Sequence, residues 1–518
     1  MYPGYWVKTQ ADKPAAIDSE TGESISYREL DDRSMQLAQL MYEKGLRRGD
    51  HLALFMENNL RYFEIAWAAF RSGLYFTPVN RYLTADEAAY IINDCEASVL
   101  VSSFYLKDTA EALLPLLVKE NITCLMTEKA IHGYQSYETE IGQYEATALE
   151  EEPLGTYMMY SSGSTGRPKG IVHRLPSRTV DNYPEPGVAI FRKFWGFDES
   201  SIFLSTAPNY HSAPILFSMQ TQRLGGTVVM MPRFDAEKAL EAVERYKVTH
   251  SQWVPTMFNR ILKLPDDKRL QYNLSTMRCA IHGAAPCPKH VKQKIIEWWG
   301  PIICEYYSAS EATGQTHITS QEWLKKPGSV GKANLGVLHI CDEDGIELPA
   351  GESGTVYFEL PALPFSYKND ANKTKSTQHP EHENWGAVGD VGFVDEDGYL
   401  FLNDRSNFMI ISGGVNIYPQ EIEDALLTHI KVADVAVFGV PNEEMGEEVK
   451  AIVQLEEPSE ASEELAVELT DYVRGIIAHY KCPRSIEFMA QLPRLETGKL
   501  YKKPLKEKYW QKAETGLV

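Results

Sequence analysis

Residues 157–173, YMMYSSGSTGRPKGIVH, hold the densest chemistry in the chain. An apolar run leads into Ser161, Ser162, Gly163, Ser164, Thr165, Gly166, Arg167, Pro168, Lys169 and Gly170. Glycine lets a backbone bend around an anion with no Cβ in the way. Hydroxyls add donors, and Lys169 adds a positive charge. A loop of this kind suits a polyphosphate. The competing reading is a flexible Ser/Gly surface loop. The loop of the P-loop NTPases is excluded, because Gly170 and not Ser or Thr follows Lys169.

Further segments carry usable groups. HGAAPCP, residues 282–288, follows the strand-like RCAI, and its small residues would let a flat ring lie against backbone; taken alone, it is a tight turn. EYYSASEATG, residues 305–314, offers a hydroxyl at Ser310 and a hard carboxylate at Glu311, the oxygen donor a divalent cation prefers. Asp390 lies in WGAVGDVGFVDEDGYLFLNDRSNF, where one carboxylate could accept from two neighbouring hydroxyls; turn capping is the plainer alternative.

In order and across nearly the whole chain, these segments resemble the signatures of the adenylate-forming superfamily, which includes acyl-CoA synthetases, stand-alone adenylation domains and firefly-type luciferases. The resemblance implies that 161–170 cradles ATP phosphates and that Gly283, Ala284, Ala285 and Pro286 lie along adenine. It assigns Tyr307 to nucleotide stacking, Ser310 to the α-phosphate, Glu311 to Mg²⁺, and Asp390 and Arg405 to the ribose. RLETGKLYKK, residues 494–503, resembles the closing motif and makes Lys499 the mobile catalytic lysine. The hinge falls at Asn407, and Ser412, Gly413 and Gly414 border the tunnel for coenzyme A. PNYHSAP places His211 at the acyl pocket, and SQWVPT offers Trp253 as a pocket wall or as plain core. Two departures stand out: Ser308 where the family has Gly, and Asn407-Phe408 where many relatives have Lys-Asp.

The elements that must hold these groups follow from the pattern. SYRELDDRSMQLAQLMYEKG has helical spacing and stops at Gly45, DHLALFMEN reads as a strand, YFEIAWAAFRSG as a helix ending at Gly73, and SVLVSS as a buried strand. GGTVVMM, DAEKALEAVERYK and THSQWVP continue the alternation. Such alternation indicates an α/β fold with layered, mostly parallel sheets. From about Gly331 strands joined by Asp/Gly turns indicate a β-rich subdomain. After Asp404, NIYPQEIEDALLTHI and LAVELTDYVRGIIAHY read as helices, with the strands VADVAVFGVP and VKAIVQL between them. The expected division is a large adenylation domain, 1–404, and a small mobile α+β lid, 405–518.

Composition narrows the function. The chain has 518 residues, 43% of them hydrophobic, enough for two cores. A net charge of −21 argues against a nucleic-acid or anionic-lipid partner. Seven scattered cysteines with no Cys-x-x-Cys pair fit reduced thiols in the cytoplasm. The N-terminus has no signal-like apolar stretch, and no run approaches the roughly 20 residues of a membrane span, which leaves room only for weak peripheral contact. Monomer and homodimer are both open. The expected activity is an ATP-dependent acyl-CoA synthetase: Mg²⁺ and ATP convert a fatty or other bulky apolar acid to an acyl-adenylate, and coenzyme A takes the acyl group. The alternatives are an adenylation enzyme that loads a carrier protein and a non-catalytic nucleotide-binding protein. Retention of Lys169, Glu311, Asp390, Arg405 and Lys499 speaks against the latter.

Overall fold

The computed structural model describes residues 1–161, 168–182, 186–405, 408–412, 415–442, 445–494 and 500–514. Two large sheets form its body. One orders nine strands as Lys332–Leu335, Gln315–Thr319, Ile303–Ser308, Cys279–His282, His250–Trp253, Ile202–Ser205, Thr227–Met230, Pro14–Asp18 and Ser24–Ser26. The other orders eight as Phe365–Tyr367, Lys169–His173, Thr156–Ser161, Tyr75–Val79, His51–Phe55, Val99–Ser103, Thr123–Thr127 and Gln135–Ser136. The central strands are parallel and buried along nearly their whole length, as Val99–Ser103, His250–Trp253 and Cys279–His282 show. Parallel strands covered on both faces read as continuous apolar runs.

The main core joins the sheets. It contains Leu52, Leu54 and Phe76 from one sheet, Phe203, Val228 and Ile281 from the other, and Trp67 and Phe217 from helices between them. The helix Tyr27–Glu43 begins in a capping box: Ser26 Oγ accepts from the Glu29 amide at 3.2 Å, and the Glu29 carboxylate accepts from the Ser26 amide at 2.8 Å. Such a cap stabilises a helix start by about 1 kcal/mol. Past its end, Gly45 takes φ 92°.

The β-rich portion is a separate sheet of Val337–Cys341, Gly354–Glu359, Asp390–Val394 and Leu400–Arg405, with Trp385–Gly386 alongside. A fourth sheet combines Val415–Ile417, Ile410–Ser412, Gly446–Leu455, Val432–Asn442 and Ser485–Phe488 around its own core. Sheet membership therefore changes between Arg405 and Ile410, across the expected joint. Three helix boundaries are corrected, one of them the helix end at Leu426, short of the expected Ile430. Asn416 and Ile417 belong to a strand, and the helix starts at Pro419, whose missing N–H costs nothing at a first turn. The later helix ends at Arg474 with Gly475 as its cap, short of the expected Tyr480.

Candidate active site

The 283–286 turn and the Ser310–Glu311 segment follow the C-terminal ends of their strands, the usual ligand side of an open α/β sheet, whereas Lys169 and Asp390 begin theirs. Thr156–Ser161 and Lys169–His173 pair antiparallel, with Ser161 opposite Lys169, so the glycine-rich loop is the connection between two adjacent strands. Residues 162–167 of that loop, and with them Ser162, Gly163, Ser164, Thr165 and Gly166, lie outside the described residues, as does the side chain of Ser161. The far side of the loop is fixed. The Tyr90 hydroxyl donates to the Pro168 carbonyl at 3.1 Å. A Cβ on Gly170 would come within 2.4 Å of Met158 Cε and 3.1 Å of the Tyr160 ring, so a side chain there would have to displace Met158. The Lys169 ammonium pairs with Asp370, and Lys169 holds that carboxyl below the usual carboxylate range.

The strand Ile303–Ser308 carries the centre of the site. The Tyr307 hydroxyl donates to Asp390 Oδ2 at 2.6 Å, joining the nine-stranded sheet to the β-rich subdomain. Asp390 stands opposite Arg405 in its own ladder; the Arg405 side chain lies outside the described residues. Ser308 takes an ordinary strand conformation, and its hydroxyl donates to the Gly314 carbonyl at 2.8 Å. The left-handed residue of this loop is Ala312, at φ 54°. The serine is thus accommodated, and the strain falls four residues later.

Ser310 lies among three segments. Its hydroxyl is 3.1 Å from that of Ser212, and its carbonyl is 3.0 Å from His173 Nε2. A carbonyl only accepts, so Nε2 carries the proton. Burial lowers the His173 pKa and favours the neutral ring. Glu311 is 8% exposed, and its Oε1 accepts from the Tyr367 hydroxyl at 2.7 Å. His211 forms the N-cap position of the helix Ser212–Arg223, so the chain around it adjoins Ser310 through Ser212.

The 283–286 turn leaves Cys279–His282 beside this strand. A Cβ on Gly283 would meet the Tyr306 ring at 2.9 Å, and Ala284 is left-handed at φ 69° with its surface exposed. Strained positions of this kind cluster at sites where backbone meets a ligand. Beneath the turn Lys292 and Glu305 form a buried ion pair at 2.5 Å, with His282 3.6 Å from the same carboxylate oxygen. Burial, then the Lys292 charge, holds the His282 pKa well below its ordinary value.

Trp253 is 1% exposed, packs against Phe258 and Trp299, and donates to Ser251 Oγ at 2.7 Å, so its surroundings are those of a core residue. Asn407, Gly413, Gly414 and Lys499 lie outside the described residues; Ser412 ends the strand Ile410–Ser412. Sequence reasoning missed Tyr367, Asp370, His173 and Ser212. The only sequence signal for Tyr367 and Asp370 is a Tyr-x-x-Asp spacing in an unremarkable loop. Among the described residues no helix is long and apolar enough to cross a membrane.

Known proteins share this arrangement. Residues 5–366 match the family pattern of the AMP-binding enzymes, and 421–499 match that of the AMP-binding enzyme C-terminal domain. A long-chain-fatty-acid–CoA ligase of Mycobacterium tuberculosis is 28% identical over 96% of this chain and 95% of its own length. A feruloyl-CoA synthase of Amycolatopsis is 30% identical over 94% of each. The crystal structure of an anthranilate CoA ligase in complex with anthranoyl-AMP superposes with a TM-score of 0.84 at 26% identity, covering 99% of this chain and 97% of the other. With both patterns matched in order and the strands, turns and loops above in their places, the chain belongs to the family of AMP-binding enzymes.

Proposed function

We propose that this AMP-forming acyl-CoA ligase activates a fatty or other bulky apolar carboxylic acid. The similarity to a long-chain-fatty-acid–CoA ligase supports the acid class, and the observation that carries the nucleotide site is the 2.6 Å bond between Tyr307 and Asp390, which are 83 residues apart. It sets an aromatic plane and a ribose-type carboxylate side by side, next to the Ser310–Glu311 segment. In the first step the acid's carboxylate oxygen attacks the α-phosphorus of ATP. A new P–O bond forms, the bond to the bridging oxygen breaks, and pyrophosphate leaves. Such an in-line displacement needs positioning and charge neutralisation more than a protein nucleophile. Ser310 and Lys169 supply a donor and a cation, and Lys499 supplies a second cation at the reacting oxygens.

Glu311 would hold Mg²⁺. Among the described residues no cluster of three or more His, Cys, Asp or Glu could cage a metal. A buried carboxylate with one oxygen already held fits an ion that arrives on the polyphosphate, as Mg²⁺ does. Once bound, the ion would neutralise charge on the phosphate oxygens. In the second step a thiolate attacks the acyl carbonyl and AMP leaves. The 405–518 unit rotates between the steps about Asn407, withdrawing Lys499 and bringing the 412–414 loop to the pantetheine chain. His211 faces the acid, and a cytoplasmic location fits the thiols.

The test is coenzyme A-dependent AMP formation over acetate, octanoate, palmitate, an aryl acid and a bile acid, with thioester followed in the same tubes. AMP and thioester are expected to rise together for a bulky apolar acid; AMP formation with acetate alone would overturn the substrate class. A second reading, loading of a carrier protein, is favoured by the 28% identity over 94% of this chain to a fatty acid–[acyl-carrier-protein] ligase of Streptomyces coeruleorubidus. It predicts pyrophosphate release without thioester. Lys499→Ala is expected to lose adenylate formation by about 100-fold or more yet still convert a supplied acyl-adenylate to thioester. Equal loss of both half-reactions in the folded variant would contradict the two-state assignment.

A further inference from the structure

The backbone around Glu311 is fixed twice. Ala312 holds a left-handed φ of 54°, and a Cβ on Gly314 would fall 2.2 Å from the Phe358 ring, so the loop is pressed against the subdomain. The freedom left to Glu311 is in its side-chain torsions, whose ordering has an entropic cost. One group restrains them: among the described residues Tyr367 is the hydrogen-bond donor to Glu311, at 2.7 Å to Oε1. The second oxygen takes no hydrogen bond from the described residues.

Tyr367 is itself rigidly mounted. It is 8% exposed, ends the strand Phe365–Tyr367, and stands opposite Ile171 on the strand that leaves the glycine-rich loop. The chain then turns sharply. The Lys368 amide donates to the Gly170 carbonyl at 2.8 Å, Asn369 takes φ 55°, and Asp370 reaches Lys169. Within four residues one short segment touches both the cation proposed for the phosphates and the carboxylate proposed for the metal.

We infer that Tyr367 is a positioning residue: its hydroxyl pins one oxygen of Glu311 so that the other points to the divalent cation carried by ATP. The inference rests on the nucleotide reading above. A packing role alone would need only the ring, which abuts Phe365 with centroids 5.4 Å apart. A positioning role needs the hydroxyl, because a charge-assisted O–H···O⁻ bond directs a carboxylate where a ring contact does not.

The test is calorimetric titration of the full-length protein with ATP, without acid or coenzyme A, in excess Mg²⁺ and in EDTA. The readout is the ratio of the two affinities. Wild type is expected to bind ATP more tightly with Mg²⁺. Tyr367→Phe is expected to cut that gain about tenfold while leaving affinity in EDTA unchanged. Glu311→Gln is expected to remove the gain, and the double variant to match Glu311→Gln alone, since the two residues act as one unit. A full Mg²⁺ gain in Tyr367→Phe beside its loss in Glu311→Gln would overturn the positioning role and leave the nucleotide reading intact. A full gain in Glu311→Gln would overturn the metal role of Glu311 and the inference with it. Failure of wild type to bind ATP under either condition would overturn the nucleotide reading itself.

Discussion

Tyr306 and Tyr307 are neighbours on one strand and face opposite worlds. Tyr307 turns to the β-rich subdomain and spends its hydroxyl on Asp390, at 2.6 Å. Tyr306 turns to the layer between the large sheets, where its ring lies 5.8 Å from Phe217 and 5.9 Å from Trp195, and its hydroxyl accepts from Gln252 at 3.2 Å. The Tyr307 face is built from short hydrogen bonds between segments distant in sequence. The Tyr306 face is built from ring packing with one polar contact. Under the proposed function the Tyr307 face would meet the nucleotide, whose fixed donors and acceptors call for polar groups held in exact geometry. Packing of the Tyr306 kind sets shape, which many residue sets can provide.

The largest expected effect lies under the nucleotide face. Lys292→Met leaves Glu305 buried without its partner and should cost about 3–5 kcal/mol in urea unfolding. Replacing Lys292 and Glu305 together with apolar residues should recover most of that loss. Asp390→Ala should raise the KM for ATP about 10–100-fold, with a much smaller change in the KM for the acid. An equal rise in both would erase the contrast between the two faces.

Stability should also depend on pH through the core behind Tyr306. His250 packs 4.1 Å from the Phe197 ring, and its Nε2 donates to the Trp195 carbonyl at 2.9 Å. Burial lowers its pKa to about 4. The unfolded chain takes up this proton first, near the ordinary value of 6.5. The contribution is therefore complete above that value and is lost as pH falls toward about 4, amounting to about 2 kcal/mol by pH 5. A thermal melt at pH 5 matching that at pH 7 would contradict it. The smallest effect is assigned to Tyr306→Phe, which removes the bond from Gln252 and should cost about 1 kcal/mol in urea unfolding with the KM for ATP unchanged.

The same contrast governs what could be read from sequence. Tyr307, Ser310, Glu311 and Asp390 can be proposed from sequence because each lies in a short segment that resembles a family motif. Tyr367, His173, Ser212 and Asp370 were not, because their partners are 56, 137, 98 and 201 residues away. Those meetings are set by the order of strands in two sheets, which local periodicity does not encode. The large α/β body was legible from its alternating apolar runs. The end of the helix at Arg474 was not, since the apolar residues Ile476 and Ile477 continue the helical spacing past Gly475. Trp253 shows the limit of reading an acyl pocket from sequence: a large ring after a strand reads equally as pocket wall or core, and its packing against Phe258 and Trp299 is that of core.

The central claim is that the chain forms an acyl-adenylate before any thiol is involved. Acid-dependent exchange of labelled pyrophosphate into ATP, measured with Mg²⁺ and without coenzyme A, tests it most directly. Exchange is expected with a bulky apolar acid, none without acid, and thioester on later addition of coenzyme A. Thioester formation from acid, ATP and coenzyme A with no exchange in its absence would contradict it.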